Sequence, residues 1–157
     1  METKVLLPQY LNEAQLDFIK QKTPDKFIKS RVGAGGKSFD YVEVGYVIRV
    51  LNGVFGYDWD FEIEKEDIGN EQIWVRGKLT VKTGDRVIIK SQYGGATIKV
   101  GKYDSKVIDI SNDLKSAASD ALKKCASMIG IASDVYYPHI TNESTTETFA
   151  EHLESQK

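Results

Sequence analysis

The sequence is poor in the residues that perform covalent and metal chemistry. It holds one cysteine, Cys125, and two histidines, His139 and His152. A single cysteine excludes an internal disulfide and fits a reducing compartment. The two histidines lie in or next to the C-terminal tail, with no metal-ligand spacing around them. Apolar runs are short as well. None approaches the roughly 20 residues needed to cross a bilayer. The opening METKVLLPQYLNE has no signal-peptide core or cleavage site, so the cytoplasm is the expected location. Surplus charge is also lacking. A formal net charge of -2 argues mildly against a nucleic-acid binder.

The distribution of charge says more than its sum. Residues 138–157 carry four acids and one base, Lys157, which reads as an acidic, polar and mobile tail. Lys20 to Lys37 carries six bases and one acid, and Arg76 to Lys106 carries eight bases and two acids. Tyr57 to Glu71 carries seven acids and one base. Sorting of this kind can build a local basic surface on a protein of modest net charge. With 157 residues, 41% hydrophobic and 28% charged, the chain is expected to form one ordinary soluble domain.

The stretch that organises the chain is DISNDLKSAASDALKKCASMIGI, Asp109 to Ile131. Leu114, Ala117, Ala118, Ala121, Leu122, Cys125, Met128 and Ile129 recur at the spacing of one helix face. Asp109 or Ser111 suits its cap, and Gly130 suits a left-handed stop. The three alanines allow a sheet to approach closely. Earlier, a first helix is expected over Asn12 to Lys22, and a second along Val44, Val47, Ile48, Leu51 and Val54, stopping before Gly56. Between them lies a glycine-rich loop at Gly33, Gly35 and Gly36, followed by a short strand through Phe39 and Tyr41.

The next forty residues read as an antiparallel meander. Trp59, Phe61 and Ile63 alternate with acids. Ile73, Val75, Leu79 and Val81 alternate with Trp74, Arg76, Lys78, Thr80 and Lys82. Thr83-Gly84-Asp85 marks a hairpin, and the third strand, Arg86 to Tyr93, bends or ends at Gly94-Gly95. A basic connection with Lys99 and Lys102 leads into the long helix. The expected class is α+β: a β-β-β-α core whose antiparallel sheet of three to four strands packs on the long helix.

No catalytic constellation stands out. Cys125 falls on the apolar stripe and reads as a small core hydrophobe. The acids of the first meander strand could hold a cation, but a solvated face paired with neighbouring lysines is the better reading. RVGAGGKS, residues 31–38, misses the phosphate-cradling pattern, because Arg31 stands where a glycine is needed. The loop also follows a helix and leads into a strand in this reading, whereas the motif follows a strand and opens a helix. A basic loop with Arg31 and Lys37, touching a phosphate backbone, fits better. Trp74, Arg76, Lys78 and Lys82 could track single-stranded nucleic acid. Arg76 and Lys78 are read instead as partners of the acidic strand beside them. Lys123 and Lys124 could face a ligand or simply meet the helix macrodipole. Composition alone leaves both open.

The order KSRVGAGGKSFDYVEVGYVIRVLNGVFGYDWDFEI, then YGGAT, then SDALKKCASMIGI resembles the Rad-fifty-two family of recombination proteins. That family includes phage-borne single-strand annealing proteins of the Sak type, and the small size is similar to this phage and bacterial branch. The resemblance spans about Phe27 to Ile131. It implies an oligomeric ring with a groove that holds single-stranded DNA, bases presented, and anneals complementary strands without ATP. Residues 1–137 would form the annealing domain. Arg31 matches the family's groove arginine, Tyr41 its tyrosine after the loop, and Lys123 and Lys124 its basic pair. Ser127 stands where the family often has a third base. An outer DNA site is approximated by Lys99 or Lys102, with Gln72 in place of a lysine. The implied partners are single-stranded DNA, further copies of the chain, and an exonuclease or host single-strand-binding protein. No cofactor or metal is implied, and the location would be the cytoplasm of a bacterial host. The rival readings are a sheet-platform RNA-binding module, a purely structural oligomer, and an enzyme.

Overall fold

A computed structural model describes residues 11–139 and 154–155 of the chain. The expectations for the tail, apart from its first two residues and those two helical ones, lie outside the described residues. Helix α1 spans Glu13–Lys20. Asn12 and Gln15 form a reciprocal capping box, each side chain accepting the other's backbone N–H at 2.9 Å. The helix stops short of Lys22 because Gln21 turns extended. Thr23 is then held by Asp134, which accepts from its N–H at 2.9 Å and its hydroxyl at 2.7 Å.

Strands β1, Ile28–Val32, and β2, Ser38–Val42, pair as a separate two-stranded hairpin. The glycine-rich loop therefore follows a strand rather than a helix, which corrects the expectation above. The strand escaped notice because its residues show no alternation; four of its five are exposed. Gly35 and Gly36 take φ values of 76° and 77°, a backbone that side chains disfavour, and so let the hairpin turn back. The register sets Arg31 opposite Phe39 and Lys29 opposite Tyr41, placing all four on one face.

Helix α2, Val44–Phe55, buries Val47, Val50, Leu51 and Phe55 and ends at the left-handed Gly56. Strands β3 (Trp59–Ile68), β4 (Gln72–Thr83) and β5 (Arg86–Thr97) make the expected antiparallel meander. On β4, Ile73, Val75, Gly77, Leu79 and Val81 face inward. The outward Arg76 lies 3.3 Å from Glu64, and Lys78 lies 3.3 Å from Glu62 and 3.5 Å from Glu64. The paired reading of these two cations holds. A bulge between Ile63 and Lys65 was not foreseen. It sets Lys65, not Glu64, opposite Arg76, and Ile63, paired with Gly77 just before it, is exposed.

Strand β5 does not end at Gly94-Gly95 but runs through both to Thr97. Helix α3, Ile110–Ser127, crosses there. A Cβ on Gly94 would collide with the Ala121 nitrogen and the Ala117 oxygen. One on Gly77 would meet the Phe61 ring and, at 3.1 Å, the Ala121 Cβ. Glycine on the sheet and alanine on the helix together bring the two layers close. Ala117, Ala121, Leu122, Cys125 and Ala126 are buried under it. Met128 is not; the helix has ended, and the chain turns through Gly130 (φ 102°) to bury Ile131 instead. Asp109 caps α3, accepting from the Asn112 N–H at 3.1 Å. Helix α4, Ser133–Tyr136, is a single turn that the sequence did not announce. No described helix is long and apolar enough to cross a membrane. The architecture is α+β, with α3 laid across one face of a three-stranded sheet and the hairpin set apart.

Candidate nucleic-acid interface

The site is built around the Tyr41 ring. Tyr41 sits near the end of β2, next to the fully buried Val42 that anchors the hairpin in the core. The Arg31 guanidinium, two residues diagonally across the hairpin, lies 5.7 Å from the ring centroid. The Lys123 ammonium, from the last turns of α3, lies 5.2 Å from the same centroid. A ring that attracts two cations holds like charges together that would otherwise separate. Below it, the Tyr136 hydroxyl accepts the Val42 N–H at 3.3 Å, joining α4 to β2.

Burial, first of all, pushes the Lys123 ammonium below the usual lysine range. Arg31 and Lys124 push the same way, and Asp120 opposes them. Among the described residues neither Arg31 nor Lys123 has an ion-pair partner. A half-buried cation beside other cations is a local electrostatic cost. An incoming anion would relieve it. Burial also raises the pKa of the Tyr136 hydroxyl, with Asp120 adding and Arg31 opposing. Tyr136 and Asp120 thus belong to the same electrostatic neighbourhood.

The adjacent lysines part company. Successive helical residues point about 100° apart. Lys123 turns to Tyr41, while Lys124 reaches back one turn to Asp120 at 2.9 Å. The same Asp120 oxygen, Oδ2, accepts the Gly95 N–H at 2.9 Å. Lys37 stands at the exit of the loop with its side chain exposed, its carbonyl accepting the Gly33 N–H at 2.8 Å.

Lys99 and Lys102 lie elsewhere. The Lys99 N–H donates to the buried Asp113 at 3.0 Å, near the start of α3. Ten helical residues, about 15 Å of axis, separate Asp113 from Lys123. Both lysines belong to a small hairpin-like excursion bridged between Val100 and Val107. Lys102 lies 5.5 Å from the ring of Tyr103, which is 93% exposed at its tip. The structure thus gathers Arg31, Tyr41 and Lys123, sets Lys124 beside them in an ion pair, and keeps Lys99 and Lys102 apart.

Two members of the neighbourhood were missed in the sequence. Asp120 lies off the apolar stripe of α3, and nothing in that stripe singles it out. Its four-residue spacing to Lys124 is the signal that could have found it. Tyr136 carries no such signal, because only the fold brings α4 under β2. Among the described residues, no three or more His, Cys, Asp and Glu side chains cluster as a metal site would require. Trp74 contacts Tyr93 edge-on, centroids 5.5 Å apart, and Lys65 lies 5.6 Å from its ring.

A model of the Rad52/22 family, described as double-strand break repair proteins, matches residues 12–151. The chain belongs to the Rad52/22 family. The match takes in β1, β2 and α3, and with them Arg31, Tyr41, Lys123 and Lys124. It also runs past residue 137 into the stretch read as tail. Comparison with curated proteins gave no match. As a Rad52/22 family chain it falls among proteins of DNA recombination and repair that bind DNA and anneal single strands.

Proposed function

We propose that this protein binds single-stranded DNA along a basic groove and anneals complementary strands without ATP. The observation that carries the reading is the cluster of Arg31 and Lys123 on the Tyr41 ring, with no acid paired to either cation among the described residues. Arg31 reaches the groove from a glycine-bounded hairpin able to follow an incoming strand. Lys123 reaches it from a rigid helix, which fixes its height. Annealing needs phosphates held and Watson–Crick edges left free, and cations lining a groove supply that. Lys37 extends the same hairpin toward the backbone, and Lys99 and Lys102 form a second, outer contact at the far end of α3.

Copies of the chain assemble into a ring, which multiplies a weak site by effective concentration. Modest net charge then helps, since tight backbone binding would retain the duplex product. In this reading residues 1–137 are the annealing domain, residues 138–157 are an acidic, polar tail, and the setting is the cytoplasm of a bacterial host. An exonuclease or host single-strand-binding protein would supply the strands. The sheet-platform RNA reading has less support, because Trp74 is already flanked by Tyr93 and Lys65.

The test is a mobility shift with single-stranded DNA, duplex DNA and RNA, followed by annealing of complementary oligonucleotides without nucleotide. Light scattering during size-exclusion measures the particle in parallel. Preference for single strands, annealing without ATP and a mass several times that of one chain are expected. A monomer indifferent to single-stranded DNA would overturn the reading.

A further inference from the structure

Among the described residues, Asp120 is the acid that pairs with a cation of the site, and its contacts are unusual for a surface carboxylate. A helical pair at this spacing ordinarily joins two side chains at the solvent edge. Here one oxygen, Oδ2, takes the Lys124 ammonium and the Gly95 backbone N–H, each at 2.9 Å. A lysine and a backbone N–H converging on one oxygen is the donor set that protein sites present to a phosphate. The carboxylate lies one turn from Lys123, and its charge is felt by Lys123 and by Tyr136. Neither Arg31 nor Lys123 is neutralised in this way.

We propose that Asp120 is a built-in occupant of a phosphate position, whose pairing with Lys124 and Gly95 sets how tightly the protein holds a single strand. The proposal rests on the single-strand-binding reading above. It assigns opposite roles to the two adjacent lysines. Lys123 is free to meet a backbone phosphate. Lys124 is held in reserve, and a strand engages it only by competing with Asp120. The site therefore stays weak enough to release an annealed product, although two lysines and an arginine lie within it. Gly95 ties the carboxylate to β5, so it does not simply swing out to solvent.

The experiment is a charge cycle read by salt titration of single-strand binding, using the full chain. Asp120→Asn keeps an oxygen for the Gly95 N–H and adds one net positive charge to the pair. Lys124→Ala leaves the carboxylate alone and adds one net negative charge. The double variant is neutral again, like the wild type. Each phosphate contact contributes about 0.7 to the logarithmic salt slope on single strands. Asp120→Asn should bind more tightly, with a slope steeper by about 0.7. Lys124→Ala should bind more weakly, with a shallower slope. The double variant should return close to the wild-type slope.

If Asp120→Asn leaves affinity and slope unchanged while Lys124→Ala and the double variant weaken equally, Lys124 contacts DNA directly. The proposal is then wrong. Thermal melting of every variant guards against misfolding, and Asp120→Ser repeats the cycle if the Asn variant is unstable. Failure of the underlying reading looks different: the wild type itself would then show no single-strand binding to titrate.

Discussion

The Lys123 ammonium lies 5.2 Å from the centroid of the Tyr41 ring, a contact between the C-terminal part of α3 and the hairpin. Because Arg31 lies over the same ring, Tyr41 decides where both cations stand. Tyr41→Phe keeps the ring and should retain single-strand affinity. Tyr41→Ala removes it, and each cation–π contact is worth about 0.5–1 kcal/mol at a partly exposed site. Affinity for single strands is expected to fall about five- to thirtyfold as both contacts go. Fluorescence titration of the two variants decides it; equal losses would point to the hydroxyl instead.

Lys123 should trade stability against function. Its ammonium is pushed down by burial, so the fold disfavours the charge that the ligand needs. Lys123→Met keeps the length of the side chain and removes the charge. The variant should gain about 0.5 kcal/mol, as surface and boundary optimisations commonly do. For a chain of this size that is about 1–2 degrees of melting temperature. It should also lose about 0.7 of salt slope on single-stranded DNA. A variant that melts lower and binds normally would contradict both halves.

The same residue predicts a pH dependence. Its folded pKa lies below its unfolded one, so between the two the unfolded chain holds a proton that the native chain has shed. Stability from this group therefore rises as pH climbs through that window, and the cost is in force at neutral pH. DNA phosphates act the other way and restore the proton. Single-strand affinity should then decline with rising pH, beginning below the ordinary lysine value of about 10.4. Binding there should take up a proton. Calorimetry in two buffers of different ionisation enthalpy measures the uptake, and Lys123→Ala should abolish it.

Gly94 tests the packing that carries the site. A methyl group there meets the backbone of α3 at Ala117 and Ala121, which cannot rotate aside. Gly94→Ala should cost about 3 kcal/mol, the upper end of overpacking penalties. Gly84, in the β4–β5 turn at φ 59°, would meet nothing, so an alanine there measures backbone strain alone. Denaturant titrations of the two variants should separate them, with Gly94→Ala the more damaging. Equal costs would show that α3 does not lie as close to β5 as the structure has it.

The local elements were legible in the sequence because their signals are local. The apolar stripes of α2 and α3, the alternation of β4, the Asp109 cap and the Gly56 stop each depend on residues a few positions apart. Their order supported an α+β meander with one long helix, and the motif order supported the family. The exposed strand β1 has no core face and so no alternation to read. The bulge after Ile63 depends on how β3 registers against β4. Gly94, a strand-ender by propensity, stays within β5 because α3 needs the space above it, and Gly95 follows in the strand with its N–H held by Asp120 of α3. Most of all, sequence reading could name Arg31, Tyr41, Lys123 and Lys124 but not sort them. Rotation of about 100° between neighbouring helical residues, together with the position of Asp120 one turn back, sends one lysine to the tyrosine and the other to a carboxylate. That division is a property of how the hairpin, the helix and β5 meet in space. The four-residue spacing of Asp120 and Lys124 marks one half of it, and no spacing along the chain records the other, Lys123 on the Tyr41 ring.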